Sequence, residues 1–461
     1  MVVNSTTDIV NALVAKGVLT EEEGALLNKG RTDEAAGQAK ALKKASKLSV
    51  SDAIDNATLY GDMRVRYENR RGDINSTNAN ASIDASNLGD LTRERGRYKA
   101  TLGVTTKAGD FYTDLAISTG SKGRSDNETF AGTKTPADFA PKKTAYINRA
   151  MIGWKATDWL TLEAGRMKNP LYTTPMVWDA DLPLEGLVEK FTYKIGDVNL
   201  FANLGQVAYE SDSLADTDAS ALVTSTNGLL FEQLGAQFPI VQDKSSAKAA
   251  VTFYTYTHND VPQGASAGTG SRGAFKPGIG QAALVNSAGV NNLSVIEVPA
   301  EINFMATNNI GIRAYGDYAI NTDADARATA AGTTYSPYKG SNDDTAWLVG
   351  FVVGSAKDLK TFESNKMAKG DWSMRLWYQE VGVWSLDQNL VDSDFFDSRV
   401  NTKGTVFKAQ YNIQDNVYAN FAYGHASRLN KDLGVGSTAG YDIPTNWNSF
   451  DLIQLDLTYK F

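Results

Sequence analysis

The sequence predicts an all-β fold: a sixteen-stranded antiparallel transmembrane β-barrel over residues 59–461, preceded by a short N-terminal helical segment over residues 1–58. Three observations predict it. From Leu59 onward, apolar and polar residues alternate with a period of two through sixteen separate stretches. The connections between them alternate between tight turns and long polar loops, as in a barrel with turns on one side of a membrane and loops on the other. The composition, 10% aromatic with 40 glycines, suits such a barrel better than a helical protein. No apolar run reaches the roughly 18 residues that a transmembrane helix needs, but strands facing lipid and water by turns average out as polar.

Composition also excludes chemistry. There is no cysteine and there are only two histidines, His258 and His425, which removes disulfides, thiolate metal sites and cysteine nucleophiles. Absence of thiols suits an oxidising compartment outside the cytoplasm. A net charge of −8 argues against a nucleic-acid partner. The opening "MVVNSTTD" has neither the basic nor the apolar region of a signal peptide, so an exported chain would be read here in processed form.

Residues 1–58 read as helical. In "DIVNALVAKGVLTEEEGALLNKG", Ile9 and Leu13, and Val10 and Val14, are spaced i, i+4; Gly17 stops the helix, and Thr20 with Glu23 restarts it as a capping box. An Ala- and Lys-rich stretch continues to Leu48. The segment is too thin in large apolar residues to fold alone, so it is expected to associate with copies of itself in the periplasm, on the side of the tight turns. It is also a candidate for contact with peptidoglycan.

The strand pattern begins with "LYGDMRVRYE", where Leu59, Met63, Val65 and Tyr67 oppose Asp62, Arg64, Arg66 and Glu68. It ends with "FDLIQLDLTYKF", where Ile453, Leu455, Leu457, Tyr459 and Phe461 alternate with Gln454, Asp456, Thr458 and Lys460. The apolar face meets lipid, the polar face meets water, and closure of the last strand on the first removes both edges. Tyr98, Trp154, Phe191 and Tyr459 share the lipid parity and are expected in interfacial girdles. Arg166 breaks the rule by falling on that parity, which calls for a bulge near Gly165 or a place at the interface. A soluble sandwich or propeller is the competing fold, and it would need partners for every one-sided strand.

Parity places Arg64 and Arg66 of the first strand, and Arg95, Arg97 and Lys99 of the second, inside the lumen, with Arg93 just above. Like charges this close need water, counter-ions or acids such as Asp62 and Glu68 between them. The stretch after the fifth strand, "KNPLYTTPMVWDADLPLEGL", carries Trp178, Asp179, Asp181 and Glu185 with prolines to stiffen it. Acidic runs such as "SDSLADTDAS", "NTDADAR" and "DSDFFD" are candidate calcium ligands, but none has the spacing of a known calcium loop, so they read first as solvated loops.

Two stretches narrow the class. "GDMRVRYENRRGD" at 61–73 and "INRAMIGWKATDWLTLEAGRMKNPLYTTPMVWDADLPLEGL" at 147–187 resemble the putative porin family of Gram-negative bacteria and, more distantly, the sixteen-stranded trimeric general and phosphate-selective porins. The terminal aromatic also resembles the signal read by the outer-membrane assembly machinery. The resemblance implies an outer-membrane homotrimer that takes no cofactor and lets small hydrophilic solutes or ions diffuse passively. It also implies that the third long loop folds inward, so that its acids face the basic wall. Two other functions compete: a non-conducting barrel that tethers the membrane to the cell wall, and an outer-membrane barrel enzyme. The enzyme is disfavoured because His258 and His425 fall at strand ends with no motif around them.

Overall fold

A computed structural model describes residues 13–14, 16–23, 25, 54–74, 91–120, 125–131, 142–211, 226–242, 244–256, 293–330, 343–355, 368–387, 390–392, 394–395, 400–430 and 447–461. The chain divides into two compact units, Met1–Thr58 with Thr105–Gly109, and Leu59–Val104 with Asp110–Phe461.

In the first unit, Gly17 takes a left-handed φ of 69° and closes the turn, with its N–H on the Val14 carbonyl at 2.9 Å and the Val18 N–H on that of Leu13 at 2.9 Å. The capping box follows. The Thr20 N–H donates to Glu23 Oε2 at 2.9 Å and the Glu23 N–H to Thr20 Oγ1 at 3.1 Å. Ile9, Val10 and the stretch to Leu48 lie outside the described residues.

The second unit holds the barrel, except for the first residues of its first strand and the last residues of its second, which fall in the first unit. Its strands are β1 (Asn56–Ile74), β2 (Leu91–Ala108), β3 (Phe111–Thr119), β4 (Ala145–Lys155), β5 (Leu160–Met167), β6 (Leu184–Ile195), β7 (Val198–Ser211), β8 (Thr226–Val241), β9 (Ser245–Tyr256), β10 (Ser294–Thr307), β11 (Ile310–Asn321), β12 (Thr345–Gly354), β13 (Trp372–Val381), β14 (Thr402–Gln414), β15 (Val417–Arg428) and β16 (Trp447–Lys460). A two-residue bridge, Glu128–Thr129, lies against β2 through Arg97↔Thr129. It adds a rung and no wall. One short helix, α1 (Ala324–Ala330), follows β11. It occupies part of the "NTDADAR" run, where Ser294 Oγ donates to Asp323 at 2.7 Å.

Closure is direct. β1 and β16 run antiparallel from Asp62↔Lys460 to Asp73↔Ser449. Gly61 and Phe461 exchange both backbone hydrogen bonds at 3.0 Å. Only glycine fits at 61, because a Cβ there would lie 2.5 Å from both the Phe461 ring and the Thr101 carbonyl. With every strand paired on both sides, no backbone edge is left to the bilayer.

The two faces follow parity. Along β1 the outward Met63, Val65 and Tyr67 are exposed, while Arg66, Glu68 and Arg70 are buried within. At the tight-turn end, Phe111 stacks on Trp154 at 5.7 Å, Trp159 on Phe191 at 6.1 Å, and Tyr459 meets Phe461 at 5.9 Å, forming an aromatic girdle. Tyr98, by contrast, stacks on Phe130 beside the bridge.

Arg166 faces outward. The β4–β5 ladder ends at Ala150↔Arg166, the β5–β6 ladder runs through it without a register shift, and it sits directly opposite Glu185, with which it forms an ion pair. Gly165 absorbs the distortion with a φ of 116° and lets the Ala150 carbonyl approach to where a Cβ would stand.

Candidate functional site: a charged gap between the wall and two inward loops

Two loops fill much of the lumen. The connection after β5 turns inward and buries Leu171, Met176, Val177 and Trp178, with Trp178 stacked on Tyr254 of β9 at 6.4 Å. Hydrogen bonds to the far wall hold it. The Tyr172 N–H and carbonyl bond Gln233 at 2.9 Å each, Thr173 donates to Glu297 at 2.6 Å, and Thr174 donates to Asp317 at 2.5 Å.

The second loop joins β13 to β14 and buries Val383, Trp384, Leu386, Val391 and Phe395. Its anchors are the Trp384 N–H on the Asp343 carbonyl at 2.8 Å, Asn321 Nδ2 on the Trp384 carbonyl at 2.8 Å, and the edge of Phe395 against Trp377 at 6.3 Å. The loops also bond each other, the Asp179 N–H to the Leu390 carbonyl at 2.6 Å and the Asp392 N–H to the Pro175 carbonyl at 3.1 Å. Burying each large side chain of this plug stabilises the arrangement by about 1.5–3 kcal/mol.

The "DSDFFD" run is therefore not a solvated loop where it is described. Asp392, Asp394 and Phe395 are held inside the barrel because the apolar stretch before them must bury itself.

Opposite the loops stands the basic wall, which divides in two. Glu68, fully buried, gathers Arg95 at 2.5 Å, Arg70 at 3.0 Å and Arg97 at 3.5 Å, and accepts from Gln454 at 3.1 Å. These guanidiniums converge on one carboxylate and form its cradle, and Arg70 also lies 3.9 Å from Asp394. Arg97 also donates to the Asn127 carbonyl at 3.0 Å, tying in the segment before the bridge. Arg93 lies two residues before Arg95 on the same face of β2.

The other part of the wall reaches the loops. Arg66 grips both oxygens of Asp456 at 2.8 and 2.9 Å and reaches Asp394 of the second loop at 3.0 Å. Arg64 donates to Asn127 Oδ1 at 2.6 Å. Lys99 bonds Asp126 at 2.8 Å and lies 3.9 Å from Asp181 of the first loop. The side chains of Arg64, Lys99, Asp181 and Asp394 are 20%, 17%, 28% and 25% exposed, against 4% for Arg66 and none for Glu68. They form a wet strip of alternating sign between wall and plug.

The remaining candidates stand apart. Asp179 is buried, and its Oδ1 accepts from the Asp181 N–H at 2.9 Å, so it braces its own turn. Trp178 is a packing anchor. Glu185 belongs to β6, not to the loop, and faces out of the barrel toward Arg166.

The loop acids differ in proton affinity. Burial would raise Asp394, but Arg66 and Arg70, with Arg64 and Arg97 behind them, outweigh it and hold the carboxyl far below the usual range. Burial raises Asp392, the Asp394 charge adds to this, and Lys408 opposes it. Burial likewise raises Asp126 against the pull of Lys99, with Asp181 adding to the rise. Asp394 is thus the permanent negative pole of the strip.

A closed barrel with an apolar exterior and a charged, loop-narrowed interior defines an outer-membrane channel. The chain belongs to the family described as "Putative porin", whose model matches residues 34–270 and 286–461. Among solved structures it is similar to OprB of Pseudomonas putida, at 12% identity and a TM-score of 0.49 over 88% of this chain and 94% of that one. It is also similar to the outer-membrane channel DcaP of Acinetobacter baumannii, at 12% identity and a TM-score of 0.42 over 89% and 99%. Salmonella typhi OmpF, solved in complex with daunomycin, matches at 12% identity and a TM-score of 0.45 over 89% and 99%. No curated protein matches the chain.

Proposed function

We propose that this porin is a passive diffusion pore for small hydrophilic solutes or ions, working as a homotrimer in the bacterial outer membrane with its N-terminal segment in the periplasm. The observation that carries this reading is the strip of charges between wall and plug, in which the buried Arg66 meets the partly exposed Asp394 at 3.0 Å and Lys99, partly exposed, stands 3.9 Å from Asp181. Opposite charges across a narrow passage create a transverse field, and such a field sorts solutes by charge and dipole. Bases lead slightly on the lumen wall, so a weak anion preference is expected. Acidic outer loops act against it over a Debye length, about 10 Å at 0.1 M salt.

Single-channel recording of the purified protein in planar bilayers tests the reading. Stepwise conductance supports a pore. A folded protein that stays silent would favour a barrel that merely tethers the membrane to the cell wall.

A further inference from the structure

The anchor of the first inward loop carries charge that its partners do not balance. Glu297 of β10 and Asp317 of β11 stand on neighbouring strands, Glu297 opposite Ala319 and Asp317 opposite Pro299. Glu297 is fully buried and Asp317 is 4% exposed, and their carboxyl groups lie within hydrogen-bonding reach of each other. The groups that bond them are neutral hydroxyls. Thr173 donates to one oxygen of Glu297 at 2.6 Å and Tyr254 of β9 to the other at 2.6 Å, while Thr174 donates to Asp317 Oδ2 at 2.5 Å. The fourth oxygen, Asp317 Oδ1, is buried and has no hydrogen-bond partner. Among the described residues neither acid pairs with a lysine or arginine. Arg313, four residues before Asp317 on β11, is taken by Glu301 at 3.3 Å and Asn303 at 2.6 Å.

Two ionised carboxylates in contact repel each other, and hydroxyl donors do not offset two buried charges. Something positive belongs between them. The donor set says what: it is oxygen throughout, which suits a hard cation, and a charge of two neutralises the pair outright. Two carboxylates and two threonine hydroxyls, whose lone pairs stay free, offer about six oxygens, the low end of the range of roughly 6–8 that calcium takes. Magnesium would need to keep several waters, for which so buried a place is unsuited. We propose that Glu297 and Asp317, with the hydroxyls of Thr173 and Thr174, form a calcium site that clamps the first inward loop to the far wall. The site lies outside the acidic runs singled out in the sequence. It draws one ligand from each of two strands and two from the loop, so binding there fixes how far the loop reaches into the lumen.

Calcium binding to the purified full chain tests this. The wild type, Asp317→Asn and Glu297→Gln are stripped with a chelating resin in detergent, checked for folding by heat-modifiable electrophoresis, and dialysed against radioactive calcium with magnesium in tenfold excess. The wild type is expected to hold one more ion per chain than either variant, which cancels any calcium on the outer loops. Equal binding by all three overturns the proposal and leaves a shared proton as what holds the pair together. Terbium(III) gives a second reading that needs neither variant to fold. Bound at the pair it lies beside Tyr254, whose ring should sensitise its luminescence; calcium should displace it, and Tyr254→Phe, which keeps both carboxylates, should dim it. No luminescence that calcium displaces, or equal brightness with and without the Tyr254 hydroxyl, overturns the proposal. Both readings report binding alone, so a barrel that proved silent in bilayers would leave this inference standing.

Discussion

Arg66 of β1 and Asp394 of the loop after β13 meet across the lumen with Nη1 3.0 Å from Oδ2, although 328 residues separate them along the chain. The same guanidinium holds Asp456 of β16, so one side chain joins the seam of the barrel to the plug inside it.

Asp394→Asn should shift the reversal potential toward anions, and Asp181→Asn should do so more weakly because Lys99 already leans on Asp126. Asp179→Asn should leave it nearly unmoved, since that carboxylate braces its own turn. Reversal potentials under a salt gradient decide the order. An equal shift from all three would show that no single acid sets the field.

Arg66→Met should shift selectivity toward cations and destabilise the barrel, because Asp456 and Asp394 both lose their nearest cation and keep only Arg64 and Arg70 at 3.9 Å. Glu68→Gln should destabilise by a similar amount, about 3–5 kcal/mol for breaking a buried ionic cluster, with a smaller effect on selectivity. Heat-modifiable electrophoresis gives the first readout and bilayer recording the second.

Trp384→Ala removes a side chain only 2% exposed from the heart of the second loop. A loss of about 3–5 kcal/mol is expected for that truncation. It should fall on the loop rather than on the wall, so conductance should rise while the barrel still folds. Unchanged conductance would mean that the second loop does not narrow the path.

Acidification should also act in a definite order. Asp126 and Asp392 bind protons more readily than an ordinary carboxylate, and Asp394 less readily. As pH falls, the first two lose charge before an ordinary carboxylate does, while Asp394 keeps its own longest. Selectivity should therefore drift toward anions, and Asp126→Asn should flatten the drift. Linkage follows the same signs: the raised acids cost stability as pH rises through their folded values, whereas the part due to Asp394 is present above the unfolded value and is lost only as pH falls below it.

The wall of this protein was legible and its plug was only half so. Period-two alternation fixes parity residue by residue, which is why Arg64, Arg66, Arg95, Arg97 and Lys99 could be put inside from sequence alone. Parity does not say which bases share one acid, so the convergence of three guanidiniums on Glu68 had no linear signature. Nor does it say where a loop ends: Glu185, expected on the loop, is the second residue of β6. The acids of the second inward loop carry no sign of its inward turn, which is legible only in its apolar residues. Val383, Trp384, Leu386 and Val391 just before "DSDFFD" were the available sign, since a solvated connection has no use for them.

The seam between β1 and β16 has a consequence in time. A ribosome finishes the segment that becomes β1 long before it begins the one that becomes β16, so the first strand must wait almost the whole of synthesis for its partner. Pairings this distant in sequence are slow to form and leave hydrogen-bonding edges open meanwhile. Until the last hairpin arrives, Arg66 lacks Asp456 and Gly61 lacks Phe461. Locking of the seam is thus the step that pairs the last open edges and turns an unclosed sheet into a finished channel.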